Sequence, residues 1–133
     1  MSEQGLAGNA ELHTHVTEES IALMVDRFYA SVQEHPTLGP VFNARLEGRW
    51  DNHLEQMKAF WSSILLMSGR YEGRPLRAHF DVEGLEKRHF ADWLGLFRET
   101  LESVYVQDVA EGIHARSRQI AKRFSIALFD LQQ

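Results

Sequence analysis

The sequence predicts an all-α domain, and three observations carry that reading. Apolar residues recur at three- and four-residue steps through several long stretches, the spacing of one helix face. No stretch sustains the period-two alternation of a half-buried strand. Turn signals separate the stretches: His35-Pro36, Ser68-Gly69 and Pro75 fall between them.

The elements follow in order. Residues 1–16 are small and polar without a period, and read as a flexible leader before a domain over 17–133. Thr17, followed by Glu18 and Glu19, is an N-cap with acidic residues that complement the positive end of a helix. Ile21, Met24, Val25, Phe28, Tyr29 and Val32 form its apolar stripe, and His35-Pro36 ends it. Between Pro36 and Pro40 a short turn or 3₁₀ piece is expected to deliver Leu38, Val41 and Phe42 to the core, with a loop over Asn43–Gly48. A second long helix starts near Arg49–Asp51. Its stripe is Trp50, His53, Met57, Phe60, Trp61, Ile64 and Leu65, and Gly69 is the expected C-terminal cap. Pro75 opens a short helix through His79 or Phe80. A third long helix carries Phe90, Trp93, Leu94, Phe97, Leu101, Val104 and Tyr105; Gly95 inside it suggests a close helix crossing. Asp108 and Glu111 resemble a capping box for a last helix showing Ile113, Ile120, Phe124, Ala127, Leu128 and Leu131.

Composition narrows the chemistry. A chain of 133 residues, 44% hydrophobic, suits one domain that buries a core without staples. It has no cysteine, which excludes disulfides, thiolate metal sites, cysteine nucleophiles and iron–sulfur clusters. A net charge of −5 without a basic block argues against nucleic acid and anionic membranes as partners. No apolar run approaches the roughly 18–20 residues of a membrane span. The first ten residues lack the basic start and apolar stretch of a signal peptide, so a cytoplasmic location is expected.

Four residues stand out against this background. Tyr29 and His53 lie on the apolar faces of separate helices, Trp93 on a third, and His79 follows Pro75 beside Phe80. Each alone is compatible with core packing: a buried tyrosine or tryptophan that finds a partner, a histidine at the core's rim. One apolar cofactor where the four segments meet accounts for all of them together. An imidazole to hold a metal, with donors opposite, is what a haem pocket for a diatomic gas requires, and without thiolate the ligand would be His, Tyr or Met.

The order and spacing of longer motifs sharpen this. Phe28-Tyr29, Leu38-Gly-Pro-Val-Phe-Asn43, Trp50-Asp-Asn-His53 with Phe60-Trp61, Tyr71-Glu-Gly-Arg-Pro-Leu-Arg-Ala-His79, and His89-Phe-Ala-Asp-Trp93-Leu-Gly-Leu-Phe97 span nearly the whole domain. In these the chain resembles the truncated haemoglobins, specifically group III of that bacterial globin family. The resemblance implies a shortened globin fold, a two-over-two helical sandwich around one haem b. It implies His79 as the proximal iron ligand. It further implies Tyr29, His53, Met57 and Trp93 in the distal pocket, with Phe42, Phe60, Leu76, Phe80, Phe90 and Phe97 against the porphyrin.

That reading carries expectations. His79 Nε2 would face iron while Nδ1–H donates to a backbone carbonyl near Pro75 or Leu76. Tyr29 O–H and Trp93 N–H would hold polarised O2 better than neutral CO, giving slow O2 release. His53 would donate as well or act as a gate. NO would also bind, and NO dioxygenase or peroxidase-like chemistry would need an external electron donor. Two alternatives remain. Glu86-Lys-Arg-His89 and Glu111-Gly-Ile-His114 are the Glu-x-x-His strings of a carboxylate-bridged di-metal bundle, although Ile113 and Ile120 turn Glu111 and His114 outward, and Glu55 lies on the wrong side of its helix. The other is a cofactor-free helical interaction module. His13, His15, His35 and His114 read as solvated. His89 borders the haem or caps a helix start, and Arg70, Arg74 and Arg77 could meet haem propionates.

Overall fold

A computed structural model of the protein describes residues 12–71 and 88–125. Helix α1 spans Glu18–Glu34. Thr17 is extended and its side chain accepts from Ser20 N at 3.0 Å, while Ser20 Oγ accepts from Thr17 N at 2.9 Å. Two orphan donors of the first turn are thereby satisfied reciprocally. The whole predicted stripe, from Ile21 to Val32, is buried.

Helix α2, Leu38–Leu46, departs from the expected turn and loop. Pro40 falls in its first turn, where a backbone N–H has no intrahelical partner, so the proline costs nothing there. Asn43 to Leu46 then continue the helix. His35 Nδ1 accepts from Thr37 N at 3.0 Å and Leu38 N at 3.1 Å. The histidine thus satisfies donors at the start of α2, a structural role in place of the solvated one expected. Gly39 lets α2 close onto the end of α1: a Cβ there would lie 2.7 Å from Gln33 O.

Helix α3 spans Trp50–Leu66 and buries Met57, Phe60, Trp61 and Ser62. It stops earlier than the glycine suggests. Met67, exposed and left-handed at φ 56°, takes the C-cap, and Gly69 at φ 72° serves the turn beyond. Ser62 Oγ and Ser68 Oγ lie 2.6 Å apart and pin that turn to the helix.

Helix α4, Arg88–Val104, buries Phe97, Thr100, Leu101 and Val104. No close crossing explains Gly95: among the described residues nothing lies within 4 Å of a Cβ built there. Tyr105 follows and pairs with His13, with His13 N donating to Val104 O at 2.8 Å and Val106 N to His13 O at 3.0 Å. Within the segment read as leader, this lays residue 13 against the α4 end. Helix α5 spans Gln107–Ser125. The expected capping box does not form, because the helix begins before Asp108; Asp108 Oδ1 accepts from Val109 N instead, at 3.0 Å. Ala127, Leu128, Leu131 and the side chain of Phe124 lie outside the described residues.

Helix α1 packs on α2, α3 and α4, and α4 packs on α5, so α1 joins α3 to the pair of α4 and α5. Ser20 Oγ and Tyr105 O–H, both buried, meet at 2.8 Å between α1 and the α4–α5 corner. No described helix is long and apolar enough to cross a membrane.

Candidate functional site

The aromatic stripe of α1 meets those of α3 and α4 at Tyr29. The phenol is 4% exposed, and its ring touches three others. It meets His53 edge-on at 4.8 Å and 88°, Phe28 at 4.8 Å and Trp50 at 6.0 Å. Its hydroxyl lies near enough to the Trp93 indole for that donor to act on it. Indole can only donate, so the Tyr29 oxygen accepts and its own proton is left to give. Burial pushes the Tyr29 phenol well above its ordinary pKa, and the indole donor pulls it back by less. The group therefore stays protonated, a donor, across the physiological range.

Trp93 is half-buried and held from two sides. Phe97 stacks on it at 5.2 Å and 29°, and Phe28 meets it edge-on at 5.2 Å. Phe97 in turn stacks on Trp61 at 5.4 Å and 24°. Each such ring pair contributes about 0.5–1.5 kcal/mol beyond area burial, so the indole is fixed by its neighbours rather than free to swing. Trp50, one turn before His53 on α3, meets the His53 ring at 5.8 Å and 82°. Met57 and Phe60 are buried further along the same helix, with Phe60 packed on Tyr71 at 5.5 Å; Phe42 of α2 is buried as well.

Tyr29, His53 and Trp93 are thus brought together from three helices, and Met57, Phe42, Phe60 and Phe97 all belong to the buried core. Phe90 is half-buried at the α4 start. His79, Leu76, Phe80, Arg74 and Arg77 lie outside the described residues, as does Glu86. Arg70 pairs with Glu18, which also accepts from Ser62 Oγ at 2.6 Å. His89 is 3% exposed near the α4 start.

His114 overturns an expectation. It was read as solvated and turned outward, yet it is 6% exposed and bonds to the Leu94 carbonyl at 3.0 Å. Ile113 and His114 are neighbours a helical step of about 100° apart, so both fit on a buried face broader than Ile113 and Ile120 suggest. Among the described residues no three His, Asp or Glu side chains form a metal-holding group.

Sequence reasoning missed two walls of this site. Trp50, three residues before His53, was read on the same stripe and in one motif with it, yet was not assigned to the pocket. Phe28, the ring that props Trp93, was read as a core residue, since nothing in a stripe distinguishes support for a site from support for a fold.

A haem suits these residues on one local ground. A buried tyrosine hydroxyl in aromatic surroundings costs free energy unless its proton is accepted. Its described partner, Trp93, is itself a donor. The Tyr29 proton is thus left to give in a hydrocarbon lining, where a polar ligand on an iron porphyrin would accept it.

No model of a known protein family matches the chain. It is 34% identical over 117 residues to a group 3 truncated hemoglobin of Campylobacter jejuni, an alignment covering 86% of this chain and 92% of that protein. The crystal structure of a group III truncated hemoglobin from the same organism superposes with a TM-score of 0.83 at 33% identity, over 89% of this chain and 95% of the other.

Proposed function

This chain belongs to the group III truncated haemoglobins, and from that premise we propose that it binds haem b and, on it, the diatomic gases O2, CO and NO. The observation that carries the reading is the donor pair: Tyr29 O–H and Trp93 N–H, linked to each other and enclosed by aromatic rings. His79 would hold the iron, and Phe42, Phe60, Leu76, Phe80, Phe90 and Phe97 would border the porphyrin. The haem supplies an iron that binds diatomic ligands reversibly.

The rest is work for the chain's own side chains. Tyr29 remains protonated and presents its O–H to whatever polar atom enters the pocket. Trp93, donating to the Tyr29 oxygen, polarises that O–H and strengthens it as a donor. Tyr29 is oriented before the ligand arrives, so little reorganisation opposes its hydrogen bond. A polarised ligand such as O2 gains from this; CO gains far less. His53, whose ring meets those of Tyr29 and Trp50, would donate as well or act as a gate.

The test is direct. Purified chain mixed with hemin and reduced should show a strong Soret band that shifts with CO, and His79→Ala should lose ordinary haem retention. A wild-type chain that stays colourless overturns the haem reading; an unaltered spectrum in His79→Ala overturns the ligand assignment alone.

A further inference from the structure

We propose that His114 is a pH-sensitive positioning residue for Trp93: neutral, it ties α5 to the turn of α4 that carries the indole, and protonated it releases that turn. The proposal rests on the haem reading above, through the part Trp93 plays in it.

His114 bonds across the α4–α5 interface in one tautomer. Its Nε2–H donates to Leu94 O at 3.0 Å, directly beside Trp93 in sequence. Its Nδ1 must then accept, and it does: from Arg118 Nη1 at 2.8 Å and, more weakly, from Arg98 Nη2 at 3.5 Å. A proton added at Nδ1 turns the acceptor into a donor facing two guanidiniums. The cation is also nearly cut off from water, at 6% exposure. Burial, with Arg98 and Arg118 adding, pulls the His114 pKa below its ordinary value, while the Leu94 carbonyl and Glu102 oppose that pull.

The ring has somewhere to go. A cavity of about 270 Å³ opens beside it, lined by Arg98 and Glu102 of α4 and Glu111 of α5, with Leu101 and Tyr105 as apolar walls. An imidazolium turned into that space meets two carboxylates and solvent, and gives up the Leu94 carbonyl. Charged groups facing His114 are thus Arg98 and Glu102 from α4, and Arg118 and Glu111 from its own helix. Of these only the carboxylates favour the cation, and they line the cavity rather than the buried slot.

The sign follows from linkage. A base with a lowered folded pKa leaves the unfolded chain binding more protons just below the ordinary histidine value of about 6.5. The tie is therefore intact above that pH and is lost as pH falls through the lowered value. His114→Gln is the informative variant, because its amide offers an N–H for Leu94 O and an oxygen for Arg118 but cannot titrate.

The experiment measures O2 release from the reduced holoprotein, by CO replacement, from pH 8 to pH 5. In the wild type the rate should rise about threefold or more below pH 6.5, as expected when one distal hydrogen bond is weakened. His114→Gln should stay slow and flat, and Trp93→Phe should be fast with little slope. Denaturant unfolding reads the same group without reference to gas binding: wild type should lose stability relative to His114→Gln below pH 6.5. A flat wild-type profile, an equal slope in His114→Gln, or a slope that persists in Trp93→Phe overturns the assignment. Absence of a Soret band overturns the haem reading and this proposal with it; a Soret band with any of those three results overturns this proposal alone.

Discussion

Replacing Tyr29 by phenylalanine removes one oxygen and leaves the ring that packs on Phe28 and His53 at 4.8 Å each. The substitution conserves volume, so it isolates the hydroxyl. A hydrogen bond to a charged acceptor is worth about 1.5–3 kcal/mol. At about 1.4 kcal/mol per factor of ten, its loss should speed O2 release roughly 12- to 140-fold. The indole complicates this. Trp93 now donates to the Tyr29 oxygen; without that oxygen its N–H, held in place by the rings around it, is released to serve the ligand and recover part of the loss. The single variant should therefore fall near the lower end, about tenfold, while CO release changes little. Trp93→Phe alone should also accelerate release, and the double variant should exceed the product of the two, because the rescuing N–H has gone. Stopped-flow replacement of O2 by CO on all four proteins completes the cycle, and groups in direct contact couple by about 0.5–3 kcal/mol. An unchanged rate in Tyr29→Phe would remove the phenol from the site. Strictly multiplicative rates would refute the indole–hydroxyl link and leave two independent donors.

Three further substitutions test the frame that holds this pair. Gly39→Ala should destabilise the protein by about 1–3 kcal/mol in denaturant unfolding, since its Cβ would press on Gln33 O at 2.7 Å, a backbone atom that cannot step aside cheaply. Gly112→Ala should do the reverse, stabilising by about 1 kcal/mol, because the residue lies mid-helix with no described atom within 4 Å of the new methyl. His35→Ala should cost about 0.5–2 kcal/mol, the range for removing a side-chain cap, with helical circular dichroism reduced before global unfolding.

Where the sequence and the structure agree, one physical signal dominates. The stripe of α1 is legible because every inward position is apolar or aromatic, and its start is legible because Thr17 has no competing role. The termini of α2, α3 and α5 are less legible, since the chemistry that sets them is nonlocal or ambiguous. Pro40 reads as a breaker unless the first turn is known to begin two residues earlier. Gly69 reads as a cap although Met67 takes the left-handed conformation first. Asp108 reads as an N-cap until Val106, tied to His13, is seen to deliver the chain into α5 two residues sooner. In each case a residue type tolerant of several positions was assigned the commonest one.

The histidines show the same limit in the site itself. Sequence marks His53 because an imidazole is conspicuous on an apolar stripe, and it passes over His114 because the apolar face set by Ile113 and Ile120 leaves that histidine looking like surface. Yet exposure of a helix face is set by what crosses it, and the α4 backbone crosses α5 at His114, turning a polar position into a buried one with a carbonyl to satisfy. Local pattern finds groups that are out of place on their own helix. It cannot find groups whose surroundings are supplied by another. Tyr29 and Trp93, each alone compatible with core packing, are put together by the resemblance; how the indole acts on the phenol belongs to the packing of α1 on α4.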